Sequence, residues 1–119
     1  MNPNQLIIAV DFDGTIVKHC FPEIGEPIPH AFDVMLRLKD FGHKLILWTC
    51  REDNQEGKHL TAAVDFCRER GIEFDAVNEN VAGSPYAHLG HGRKVYADIY
   101  IDDKAMYPTW GIFTGENIG

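Results

Sequence analysis

The sequence is short of cysteine, long apolar runs and basic residues, and each shortage excludes a class of protein. Its three cysteines, Cys20, Cys50 and Cys67, are odd in number and far apart, so they build neither a disulfide framework nor a C-x-x-C metal or redox motif. A reducing cytoplasm is the expected setting. No stretch approaches the roughly 18 apolar residues that a membrane-spanning helix needs. Met1-Asn2-Pro3-Asn4-Gln5 also lacks the basic start and long apolar core of a signal peptide. Lys and Arg number 11 against 18 Asp and Glu, a formal charge of −7. That sign disfavours partners held by neutralising many phosphates, long nucleic acids and anionic membranes among them. A single small anion stays open, because a local site can oppose the net charge. At 119 residues, against about 150 per domain as a soft expectation, residues 1–119 read as one domain with no room for a separate substrate-binding lobe.

What the chain does contain suits a packed core: 45% of it is apolar and 24% charged, close to soluble globular averages. Leu6 to Val10 is a continuous Ile- and Val-rich run, too short for a helix, as in a strand buried on both faces of a parallel sheet. Pro22, Gly25, Pro27 and Pro29 then forbid a helix until about His30. From Ala31 to Phe41 the apolar positions Ala31, Val34, Met35, Leu38 and Phe41 recur at helical spacing, and Gly42 supplies a left-handed stop. Lys44 to Trp48 is a second strand, and about Asp53 to Arg70 a second helix, with Leu60, Ala63, Val64 and Cys67 on one face. Ile72 to Val77, Tyr96 to Ile101 and a short Trp110 to Phe113 complete the expected strands, with a loop rich in Gly and His through Gly92. Strands alternating with amphipathic helices predict an α/β, three-layer Rossmann-like fold, its central sheet mainly parallel and its helices on both faces.

In such sheets the ligand site lies beyond the carboxyl ends of the strands, where strand order reverses. Asp11 and Asp13 follow the first strand, Thr49 the second, and Asp102 and Asp103 the fourth. Any one of them alone reads as a cap or turn former; together they put four carboxylates and a hydroxyl on one edge. That concentration of like charge calls for a cation. Hard oxygen donors suit Mg²⁺ better than Zn²⁺, and His88 and His91 have no Cys or third His nearby to make a zinc site. Cys50 has no base supplied for it in the sequence and reads as a small packing residue.

The run Asp11-Phe12-Asp13-Gly14-Thr15 after an apolar strand, with Thr49, then Lys94, then Asp102-Asp103, resembles the four motifs of the haloacid dehalogenase-like superfamily of phosphohydrolases. The likeness spans Leu6 to Asp103. It implies a Mg²⁺-dependent phosphatase acting on phosphate monoesters through an aspartyl-phosphate intermediate. Asp11 would be the nucleophile and Asp13 the acid and base. Gly14 would allow the sharp exit from the strand. Thr49 and Lys94 would bind the phosphoryl group, Lys94 being preferred to Lys104 for that role. Asp11, Asp13, Asp102 and Asp103 would hold Mg²⁺, Asp13 through its backbone carbonyl. Gly14 and Thr15 join Thr49, Arg51 and Lys94 as implied substrate contacts, Arg51 being equally readable as an exposed loop arginine.

Many members of that superfamily carry an inserted cap domain, and both insertion slots are nearly empty here. A capless site takes its specificity from loops, from a homo-oligomer neighbour covering it, or from the substrate itself. The substrate is expected to be a small phosphorylated molecule or the surface of a phosphorylated macromolecule. Two rival readings are a phosphotransferase using the same motifs and a non-enzymatic receiver-like module that is phosphorylated as a switch. A receiver would carry its acidic pair first and its phosphorylated Asp later, the reverse of the order here.

Overall fold

The computed structural model describes residues 4–87 and 95–102. Within them the chain runs β1 (Ile7–Val10), α1 (Ala31–Asp40), β2 (Lys44–Leu47), β3 (Asp53–Asn54), β4 (Gly57–Lys58), α2 (His59–Glu69), β5 (Ala76–Val77) and β6 (Ile99–Ile101). Four strands form a parallel sheet in the order β5-β2-β1-β6. The fold is therefore α/β with a central parallel sheet. The expected strand at Trp110 to Phe113 lies outside the described residues.

Among the described residues both helices lie on one face of the sheet, where helices on both faces are expected. Ile8, Val10, Leu45, Leu47 and Ile101 point to one face of the sheet, where they pack with Ala31, Val34, Met35 and Leu38 of α1 and Ala63 and Cys67 of α2. The alternate residues Ile7, Ala9, Ile46 and Ala76 face the other way, against Val81, Val95, Tyr86 and Ala97 from loop segments. The cause is connection handedness. From β1 to β2 to β5 the chain steps outward in one direction, so right-handed crossovers lay α1 and α2 on the same face. The return to β6, on the far side of β1, must cross the opposite face, and the described parts of that crossing are not helical. Strand order consequently reverses between β1 and β6.

Three predicted boundaries also move. The second helix starts at His59 rather than near Asp53, because Asn54 to Gly57 close a small antiparallel hairpin between β3 and β4. Asn54 Oδ1 accepts the Glu56 N–H at 2.8 Å, a local turn that competes with helix. Asp53 then caps the helix from outside, accepting the N–H groups of Leu60 (3.1 Å) and Thr61 (3.0 Å) and the Thr61 hydroxyl. The third strand shrinks to Ala76–Val77, since Gly71 and Ile72 are still closing α2 through bonds to Arg68 and Cys67 carbonyls. The fourth begins only at Ile99, because Tyr100 folds the chain ahead of it. Its hydroxyl accepts the Ala97 N–H at 3.1 Å and donates to the Val95 carbonyl at 2.7 Å.

Between Ile16 and Ile28 the Pro-rich stretch is a two-stranded flap. Val17 bridges Pro27, Lys18 N–H donates to Glu26 O at 2.8 Å and Ile28 N–H to Ile16 O at 2.8 Å. Gly25 is required by close approach, since a Cβ there would stand 2.2 Å from the Lys18 carbonyl oxygen. Among the described residues, no inserted lobe follows Thr15 or Thr49, and no helix is long and apolar enough to cross a membrane.

Candidate active site

Val10 on β1 and Ile101 on β6 are register partners, and the pairing runs one step further through the Asp11 N–H to the Ile101 carbonyl at 3.0 Å. The residues that leave these strands, Asp11 and Asp102, are therefore side by side at neighbouring strand ends, where parallel strands lie about 4.8 Å apart. This is the reversal point of the sheet. Two carboxylates here repel one another, and a hard cation that keeps several waters and takes one or two protein carboxylates fits such a donor pair. Among the described residues, no group of three or more His, Cys, Asp or Glu side chains could hold a metal ion. Of the metal ligands that the sequence suggests, Asp11, Asp13 and Asp102 are among the described residues; Asp103 lies outside them, as do Lys94, Lys104, His88 and His91.

After Asp11 the chain turns tightly around one carbonyl: Phe12 O accepts the N–H groups of Thr15 (3.2 Å), Ile16 (2.9 Å) and Val17 (3.2 Å). Gly14 sits at φ 86°, a left-handed conformation that side chains resist, so it is Gly that permits the turn. Gly14 and Thr15 are both buried and form the inside of this turn. Phe12 is fully buried in the helix-side core, edge-on to Phe66 at 6.3 Å between ring centroids. That anchors the backbone between the two aspartates, and burying such a ring stabilises by roughly 1.5–3 kcal/mol.

One strand over, Trp48 N–H donates to Val10 O at 2.9 Å and keeps the β2 exit alongside β1. Thr49 N–H donates to Asn78 Oδ1 at 2.8 Å, and the Thr49 hydroxyl accepts the Arg51 N–H at 3.1 Å. Asn78 was not foreseen from the sequence. It follows β5 at φ 53°, and an Asn directly after a strand, tolerant of that conformation, is the signal that could have found it.

Arg51 is not an exposed loop arginine. Only 1% of its side chain is exposed, and it clasps Asp13 with two bonds of 2.8 Å, Nε to Oδ2 and Nη2 to Oδ1. The loop from Thr49 dives inward because the guanidinium is held between the rings of Phe12 and Phe21, its carbon 5.0 Å from each centroid. Cys50, next to it, is exposed rather than packed. Cys67 is the packing cysteine, and burial pushes its thiol up to about 12, so it stays protonated and inert.

No family model and no curated protein matches the chain. A solved structure does: that of a conserved protein from Bacteroides thetaiotaomicron, 47% identical, covering 92% of this chain and 86% of that one with a TM-score of 0.76. The chain is an α/β protein with a parallel sheet and an acidic reversal point. At that identity and coverage it belongs to the same family as the conserved Bacteroides protein.

Proposed function

We propose that this protein is a Mg²⁺-dependent phosphohydrolase of the haloacid dehalogenase-like superfamily, with the three-layer form of that fold and an open, capless site. The observation that carries the reading is the pairing of Asp11 with Asp102 at the reversal point, with the Asp13 carboxylate held two residues from Asp11. Asp11 attacks phosphorus in line. A bond forms from its Oδ to phosphorus as the bond to the leaving oxygen breaks, and Asp13 gives that oxygen its proton. Water then attacks the aspartyl phosphate, Asp13 takes the water's proton, and the bond from phosphorus to Asp11 breaks to release inorganic phosphate and the original carboxylate. Thr49 donates its hydroxyl to a phosphoryl oxygen, and Lys94 adds positive charge there.

Asp11, Asp102, Asp103 and the Asp13 carbonyl would hold Mg²⁺, which when bound offsets the repulsion between a carboxylate nucleophile and an anionic phosphate. An open site without a lobe suits a small phosphorylated metabolite, or a phosphorylated macromolecule large enough to cover it. The test is phosphate release from an aryl phosphate with Mg²⁺ and with chelator. Wild type should turn over only with the metal, and Asp11→Asn should be folded and inactive. Undiminished release by Asp11→Asn would overturn the covalent mechanism.

A further inference from the structure

Burying a guanidinium costs several kcal/mol before its partners are counted, and a buried ion pair seldom stabilises a fold more than apolar residues of the same shape would. Arg51 therefore needs another reason to be where it is. Four contacts fix it: the two to Asp13 at 2.8 Å, Nη2 to the Glu23 carbonyl at 2.9 Å and Nη1 to the Pro22 carbonyl at 3.3 Å. Two of these bind the carboxylate that would move the proton, and two bind the tip of the flap. Phe21, 58% exposed, closes over the guanidinium from the same tip.

We propose that Arg51 is the positioning residue for the proton-transfer step, holding Asp13 toward the leaving oxygen and taking its own place from the flap carbonyls of Pro22 and Glu23. The inference rests on the phosphohydrolase reading and goes beyond it by making the flap part of the acid–base apparatus. The geometry suits the task. A carboxylate offers about four lone-pair sites, and the side-on clasp takes one on each oxygen. One on each oxygen is left, and the Asp13 side chain keeps 18% of its surface exposed. The proton that passes from Asp13 to the leaving oxygen, and returns from water, can occupy that outer side without breaking the clasp. Lysine cannot replace this fork, because a single ammonium cannot bond both oxygens in plane and also span to two carbonyls.

The experiment compares kcat/KM, which reports on steps up to the phosphorylated aspartate, for 4-nitrophenyl phosphate and phenyl phosphate. Positioned proton transfer contributes about 10²–10⁴-fold, and a poor leaving group needs it more. Arg51→Lys should lose on the order of tenfold more with phenyl phosphate than with 4-nitrophenyl phosphate. In an Asp13→Asn background it should add no further discrimination. Phe21→Ala, a surface change that leaves folding intact, should show the same bias at a few-fold. Equal losses on both substrates for either variant, or full additivity with Asp13→Asn, would overturn the positioning role. Hydrogen exchange at Lys18 and Ile28 should quicken in Arg51→Lys, and unchanged protection there would refute the link to the flap. Absence of phosphate release by wild type would instead defeat the underlying function and the catalytic half of this inference, the exchange result still judging the flap half.

Discussion

Aspartates stand at both edges of the sheet, and the two edges use them differently. At the amino edge, Asp75 and Asp98 each precede an outer strand and accept the backbone N–H of the strand beside it. Asp75 Oδ2 takes Leu45 N–H and Asp98 Oδ2 takes Ile7 N–H, both at 2.8 Å. Lys39 at 3.1 Å and Lys44 at 3.7 Å also pair with Asp75, and the Tyr86 hydroxyl donates to Asp98 at 2.6 Å. That bond to a carboxylate keeps the Tyr86 phenol above its ordinary range. At the carboxyl edge, Asp11 and Asp102 leave adjacent strands side by side, and the Asp13 carboxylate is presented by a buried arginine. The same residue type thus registers strands at one edge and concentrates negative charge at the other. Chemistry belongs where the fold gathers like charges, because nothing in strand pairing requires that arrangement.

The largest effect should come from breaking the carboxyl edge. Asp102→Asn is expected to cost on the order of 10²-fold or more in phosphate release, since a metal at a phosphoryl site contributes several kcal/mol at 1.36 kcal/mol per tenfold. Its thermal midpoint without Mg²⁺ should stay close to wild type, because the isosteric amide keeps the side chain's shape and an acceptor oxygen. A midpoint several degrees lower would make Asp102 a strand-registering residue like those at the amino edge.

Much of this was legible because strand ends are readable. The apolar run before Asp11 and the exit of the last described strand at Asp102 needed only local pattern, and both aspartates fall where expected. Which face the helices take depends on strand order, and strand order is a long-range choice that no local window contains. Asp53 misled for a related reason. Its side chain caps α2 from across a hairpin, so an acid and a helical pattern looked continuous when a turn at Asn54 to Gly57 separated them. Arg51 was visible as a residue near the site, but its burial follows from Phe12 and Phe21 closing on it from two other segments.

A break at the amino edge should do the reverse of Asp102→Asn. Leu45 is fully buried, so Asp75→Ala strands its N–H without a partner, at about 1–3 kcal/mol. Asp75→Asn keeps an acceptor and should lose less. Urea unfolding measures both, and phosphate release per folded molecule should be unchanged. A matching fall in turnover by folded Asp75→Ala would mean that the two edges are coupled and the division between them fails.

The smallest effect tests whether the edge alone decides. Asp53 follows the β2 exit by a few residues, on the same side as the site, yet it behaves like the amino-edge acids. Its bonds from Thr61, side chain first and then backbone, hold its carboxyl below the ordinary carboxylate range. A depressed value in the folded state means that the stabilisation is present above the unfolded-state range and is lost as pH falls through the folded one. Wild type should therefore unfold at a slightly higher temperature than Asp53→Asn near neutral pH, with the gap closing in acid and phosphate release the same in both. A gap that persists at low pH would mean that the carboxylate charge does not make the cap. A loss of turnover would move Asp53 into the site. If neither occurs, Asp53 joins Asp75 and Asp98 as an acid whose work is to accept backbone N–H groups, although it follows a different end of the sheet.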